Sequence, residues 1–322
     1  MSYFFIPIQL TSDNLESNIG LDSDADIYGS AWAGEWSATY AGGYATNDVV
    51  RKDITLYESQ IDSNTNDPAT GSTSETPTWI NLGKINRYRM FDETVGANEL
   101  YLNKSITSAT DQIIATMSVS ADDIVIFDCS CNLVSVEILD ADDTTVWQEE
   151  HDLLENLRDI GSYSEYFFTV FPDSSGRDIA VHLGWGTSTS LTEKVRLTLS
   201  GVGAVSCGNC FIGKSVELGL TQWGISTGAI YYGNITTDTY GRTTHIPGVS
   251  AKTHDAKLYV PTGEETRIYR IVKNLLSKDA VFNFNNDTDY DHLITYGYID
   301  HFSEPMEQLH MTVLNVEIVG RI

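Results

Sequence analysis

LVSVEIL, residues 133–139, sets Val134, Val136 and Ile138 against Ser135 and Glu137. VRLTLSG repeats the alternation, with Val195, Leu197 and Leu199 opposed to Arg196, Thr198 and Ser200. A β-strand sends successive side chains to opposite faces, whereas a helix of this order would spread its apolar residues all round. These segments are therefore read as strands with one buried and one wet face, and the buried face needs a second sheet against it. Several of them at short spacing predict one antiparallel sandwich over residues 86–205. The turn DADD, 140–143, leads into TTVWQ, and EEHDLLENLRDIG predicts one or two helical turns ahead of EYFFTVF.

A chain of 322 residues is too long for one ordinary domain. Plentiful Tyr, Thr, Val, Ile and Gly extend the β reading to the rest of it. The expected fold class is mainly β: antiparallel β-sandwich domains with a small N-terminal β module and one C-terminal helix. Residues 1–43, rich in Gly, Ala, Ser and Asp, read as an arm tied to a neighbour by its apolar start. Residues 44–85 read as the small module. There NDVVRKDITLYESQ offers two short strands with a turn at Lys52-Asp53, and a polar loop follows. Residues 206–322 read as a β-rich domain with one helix. Thr262 and Glu265 fit a capping box, and Ile268, Ile271, Val272, Leu275 and Leu276 form the apolar stripe.

The formal charge of −26, from 19 basic and 45 acidic residues, would repel phosphates. Nucleic acid and anionic membrane are thereby poor partners. MSYFFIPIQL lacks a basic leader and Pro7 interrupts it, so we expect no signal peptide, no membrane insertion and folding in a cytoplasm. Asp22, Asp24 and Asp26 lack the glycine and glutamate of a calcium loop and, like Asp140, Asp142 and Asp143, read as solvated turns.

GISTG, 224–228, matches a nucleophile elbow formally, but the β-forming AIYYG after Ser226 stands where a helix is required. His292, His301 and His310 form no metalloprotease pattern. No catalytic residue and no cofactor are expected. Cys129/Cys131 and Cys207/Cys210 leave two readings open: a tetrahedral zinc site, or small buried residues near strand ends. TPTWINLGKINRYRMFDE, 76–93, concentrates aromatic and cationic side chains between two of the expected β units.

Tyr44, Val49, Tyr57, Pro68 and Trp79 fall in an order that resembles small chitin-binding-type carbohydrate modules. Tyr44, Tyr57 and Trp79 are then candidate rings for stacking on sugar, or else the module's own core. A wider resemblance rests on WINLGKINRYRMFDE, VSCGNCFIGKSVELGLTQWGI, TTDTYGRTTHI, TYGYIDHFSE and NVEIVGRI, in that order. Together these blocks resemble a family of bacteriophage tail-module proteins; Arg89 and the added cysteine of C-x-x-C depart from its pattern. The resemblance implies a non-enzymatic virion tail protein, with a sandwich similar to galactose-binding-like domains. Implied partners are other tail proteins and further copies in a ring; the module resemblance leaves as the alternative a carbohydrate-binding receptor module of the tail that contacts a host surface glycan. It also implies a joint between module and sandwich filled by Trp79, Tyr88, Met90 and Phe91, with Arg87 and Arg89 paired to carboxylates. Because the chain is so acidic, subunit interfaces are expected in uncharged segments. These are the apolar start with Tyr3, Phe4 and Phe5, and the run 218–232 with Trp223 and Tyr231, which reads equally as an internal strand.

Overall fold

The computed structural model describes residues 2–92, 105–106, 112–153, 177–183, 194–222, 224–237, 240, 242–246, 248, 250–261, 263–276, 278–284, 292–304 and 312–321. From the amino end come β1 (Ser2–Phe5), β2 (Leu15–Ile19), the short helix α1 (Asp24–Tyr28) and β3 (Trp32–Glu35). Next are β4 (Val49–Lys52), β5 (Thr55–Ser59), α2 (Pro68–Gly71), β6 (Trp79–Lys84) and α3 (Asn86–Arg89). The middle holds β7 (Ser105–Ile106), β8 (Gln112–Met117), β9 (Asp123–Cys129), β10 (Leu133–Leu139) and β11 (Thr145–Asp152). It continues with β12 (Arg177–His182), β13 (Lys194–Ser200), β14 (Ser206–Cys207) and β15 (Asn209–Gly213). The last part holds β16 (Val216–Thr221), β17 (Ser226–Tyr231), β18 (Asn234–Thr237), β19 (Thr243–Ile246) and β20 (Ser250–Val260). It closes with α4 (Glu265–Leu275), β21 (Ala280–Asn283), β22 (Ile294–Ser303) and β23 (Thr312–Gly320). The chain is mainly β, as its alternation requires.

The sandwich packs a five-stranded sheet, β11-β10-β13-β8-β2, against the three strands β12-β9-β15. Val134, Val136, Ile138, Val195, Leu197 and Leu199 are all buried in the core between them. Two expectations need correction. Ser135 is buried too, with the Gln148 side-chain amide donating to its hydroxyl at 3.3 Å. Residues 149–152 of EEHDLLENLRDIG belong to β11 rather than to a helix, Leu153 turns into the core, and residues 154–161 lie outside the described residues.

The small module is the sheet β3-β4-β5-β6, with β3 and β4 parallel. Asp53 takes a positive φ of 56° in the β4–β5 turn, a conformation that Asp tolerates because its short side chain bonds locally. The polar loop contains the single turn α2. Asp67 caps it by accepting from the amides of Ala69 and Thr70, and Pro68 takes the first helical position.

The third unit is a closed barrel. Its strands run β16-β1-β21-β22-β23-β20, and β20 returns to β16 through Leu220↔Tyr259 and Thr221↔Leu258. Ile268, Val272 and Leu275 of α4 share a core with Phe4, Leu218, Leu258, Phe282, Leu314 and Val316. Ile271 is only partly buried and Leu276 is exposed, so the helix buries a narrower stripe than its sequence offers. Thr262, the expected cap, lies outside the described residues.

The amino-terminal residues are no separate arm. β1 is a wall of the barrel, β2 is an edge of the sandwich and β3 belongs to the module. Residues 206–213 form β14 and β15 of the sandwich region, so the barrel begins only at β16. β1 is buried on both faces. Phe4 points into the barrel core, while Tyr3 and Phe5 enter a seam with Val125, Phe127, Phe211, Val281, Ile294 and Tyr296. No helix among the described residues is long and apolar enough to cross a membrane.

Candidate functional site

The candidate sugar platform is folded inward. Tyr44, Tyr57 and Trp79 are buried with Val50 as the module's own core. Tyr44 meets Trp79 edge-on at 5.6 Å, its hydroxyl accepts the Ser37 amide at 2.8 Å, and the Trp79 indole donates to the Asn66 carbonyl at 3.0 Å. Burial raises the phenol pKa of Tyr44 and of Tyr57. A unit this small has few other large side chains with which to exclude water, so the rings cannot also serve as a platform. The ring presented to solvent beside them is Tyr40, stacked on Tyr44 at 4.3 Å.

The 76–93 segment does join two bodies, by means partly different from those expected. Tyr88, Met90 and Phe91 enter the sandwich core, together with Val49, Leu56 and Ile85 from the module side. Trp79 is not part of this joint. Arg87 donates to the carbonyls of Leu15 and Glu16 at 3.3 and 3.2 Å, and Arg89 to the Tyr28 hydroxyl at 2.9 Å. Among the described residues neither guanidinium pairs with a carboxylate; Arg87 satisfies main-chain carbonyls at the start of β2 instead, and Arg89 a phenol oxygen. The joint is stapled to β15: the Cys210 amide donates to the Met90 carbonyl at 2.5 Å, and the Asn209 side chain to the Asp92 carbonyl at 2.7 Å.

Cys129, Cys131, Cys207 and Cys210 are buried together in one core. The Sγ atoms of Cys129 and Cys131 lie 2.7 Å apart. That contact, then burial, pushes the Cys129 thiol far up, and burial does the same to Cys210. Among the described residues no group of three or more His, Cys, Asp or Glu side chains is placed to hold a metal ion. Cys210 is fixed opposite Ile126 in the β15–β9 ladder, and with Cys207 it lies near enough to Cys129 to add to the upward push on that thiol.

Tyr3, Phe4 and Phe5 are also unavailable as an interface, being buried within the chain. Ser226 opens an exposed strand and has no elbow around it. Trp223 lies outside the described residues. Tyr231 is exposed, and its hydroxyl lies 2.8 Å from Nε2 of His245.

The seam between sandwich and barrel holds polar chemistry that the sequence did not announce. Nδ1 of His182 lies 2.7 Å from Oδ1 of the fully buried Asp123. Burial lifts the Asp123 carboxyl above the usual range, and the His182 hydrogen bond pulls it back. The Asn283 amide donates to the Tyr3 hydroxyl at 2.8 Å, and burial drives that phenol far upward. Beside them a cavity of about 240 Å³ is floored by Phe127, Phe211 and Tyr296 and rimmed by Asp128, Asp178, Lys252 and Arg321. Its charges are engaged: Lys252 of β20 pairs with Asp178 of β12, and Arg321 grips Asp279 through two contacts of 3.0 Å. The Lys252–Asp178 pair spans sandwich and barrel, whereas the Arg321–Asp279 pair ties two strand ends within the barrel. Residues 3, 123, 182 and 283 have no shared local pattern, and only the finished topology brings them together. In the barrel wall His254 is enclosed, with Nε2 at 2.5 Å from the Thr295 hydroxyl, and burial holds its pKa down to about 4.

No family model matches this chain, and no curated protein matches it.

Proposed function

We propose that the chain is a non-enzymatic structural subunit of a bacteriophage tail, a part of the tail tip, nozzle, baseplate or adaptor ring. It assembles with other tail proteins and further copies of itself in the host cytoplasm and is carried in the virion. The supporting observation is where the resembling blocks fall. WINLGKINRYRMFDE spans β6 and α3, the strut from module to sandwich. VSCGNCFIGKSVELGLTQWGI covers β14 to β16, where the chain crosses from sandwich to barrel. TTDTYGRTTHI makes the β18–β19 hairpin, while TYGYIDHFSE and NVEIVGRI are barrel walls β22 and β23. The likeness thus runs through joints and walls, the parts that a load-bearing subunit has to keep.

Mass spectrometry of purified particles, with immunogold labelling in the electron microscope, tests the reading. We expect the protein in fixed ratio to other tail components and the label at the tail. Abundance in infected cells with none in particles would overturn it.

A further inference from the structure

Residues 218–251 carry two charged side chains, Asp238 and Arg242, and these cancel. The surrounding protein carries −26. Most of its described residues between 224 and 250 are exposed. All six residues of β17 are exposed, and Ile230, Tyr231, Tyr232 and Tyr240 are 41, 45, 54 and 87% accessible.

β17 is the end strand of the barrel sheet and, among the described residues, pairs with β20 alone. Natural edge strands are shielded by lysine, proline, inward charge or a bulge, because an open row of amides and carbonyls recruits another strand. STGAIY has no charge and no proline, and its register with β20 runs from Ser226↔Asp255 to Tyr231↔Ser250 without a shift. We infer that β17, with its own Ile230 and the adjacent Tyr232, is the surface through which a second copy of this chain docks, strand edge against strand edge.

Charge selects that occupant. A basic partner would seek the acidic faces and pass over this neutral stretch, while nucleic acid and anionic lipid are repelled by the whole. Two identical acidic bodies have the opposite need. Their like charges interact over a Debye length of about 8 Å at physiological salt, so they approach at least cost where charge is missing. Adding a strand also satisfies the open backbone groups of β17.

The inference rests on the reading of the chain as an assembling subunit, and sedimentation of the intact purified protein tests it separately. Wild type should associate with rising concentration, more strongly as sodium chloride is raised from 0.05 to about 0.5 M, because salt screens the repulsion. Ile230→Asp with Tyr232→Asp should weaken association about tenfold or more at unchanged circular dichroism. Hydrogen exchange on wild type should show 226–231 protected in the associated state and open when dilute, a readout independent of the variant's folding. A monomer under every condition, association unaffected by the double variant, or 226–231 left open in the assembly would each overturn the inference. If the protein is in particles but fails these tests, only this interface falls; if it passes them but is absent from particles, the tail reading falls.

Discussion

His254 shows what enclosure does to one side chain. The free imidazole titrates near 6.5, and here burial first, then Lys252 and His292, hold it to about 4. Between those values the unfolded chain binds a proton that the folded one refuses. Stability is therefore complete above pH 6.5 and declines as pH falls toward 4, by at most about 3 kcal/mol from this group. Urea midpoints at pH 7.5 and 4.5 should show a loss larger by about 2–3 kcal/mol in wild type than in His254→Gln. Equal losses in the two proteins would mean that some other group sets the acid response. At this scale the sequence was only half readable. The order Tyr44, Tyr57, Trp79 marked a cluster correctly, but nothing in the order says whether rings face water or one another. That depends on how little else the module has to bury. The Asp123–His182 pair and the Tyr3–Asn283 bond gave no signal, because their members meet only through topology.

Elements were legible where one face is wet. β13 and the stripe of α4 alternate or recur with the expected period, since water on one side forces polar residues there, and β10 alternates in sequence although Ser135 on its polar face is covered. β1, buried on both faces, has no such contrast and reads as a loose apolar end. β16 hides a different requirement. Gly219 has φ 128°, and a Cβ placed there would run into the carbonyl of Tyr259, at the point where β16 leaves β1 and meets β20 to close the barrel. Gly219→Ala should cost about 2 kcal/mol or more, combining backbone strain with the collision. Gly263, with φ 97° and open space around it, should cost about 1 kcal/mol when changed to Ala. Chemical denaturation of both variants checks the ranking, and a Gly219→Ala protein as stable as Gly263→Ala would remove Gly219 as the closure point.

Across the whole molecule, the three bodies are bound by shared cores and by a chain that visits the barrel at both ends. Removing residues 1–5 takes away the strand between β16 and β21 and three buried aromatic side chains. At about 3 kcal/mol each, their loss is comparable with the entire stability of an ordinary domain. The truncated protein should therefore lose the cooperative melt of the barrel and become protease-sensitive between residues 250 and 321. A truncated chain that melts like wild type would restore the reading of this segment as a detachable arm. The same strand sets a timetable for synthesis. Tyr3 leaves the ribosome 280 residues before Asn283, its partner. At about 5–20 residues per second that interval is roughly 15–55 s. Glu217 and Val216 of β16 reach Tyr3 and Phe4 first, but for all of it the β21 side of β1 stays open, while the module, built from residues near one another, is free to form. The last strands to be made release the first from waiting, and a cell making many copies at once has to keep those waiting ends apart.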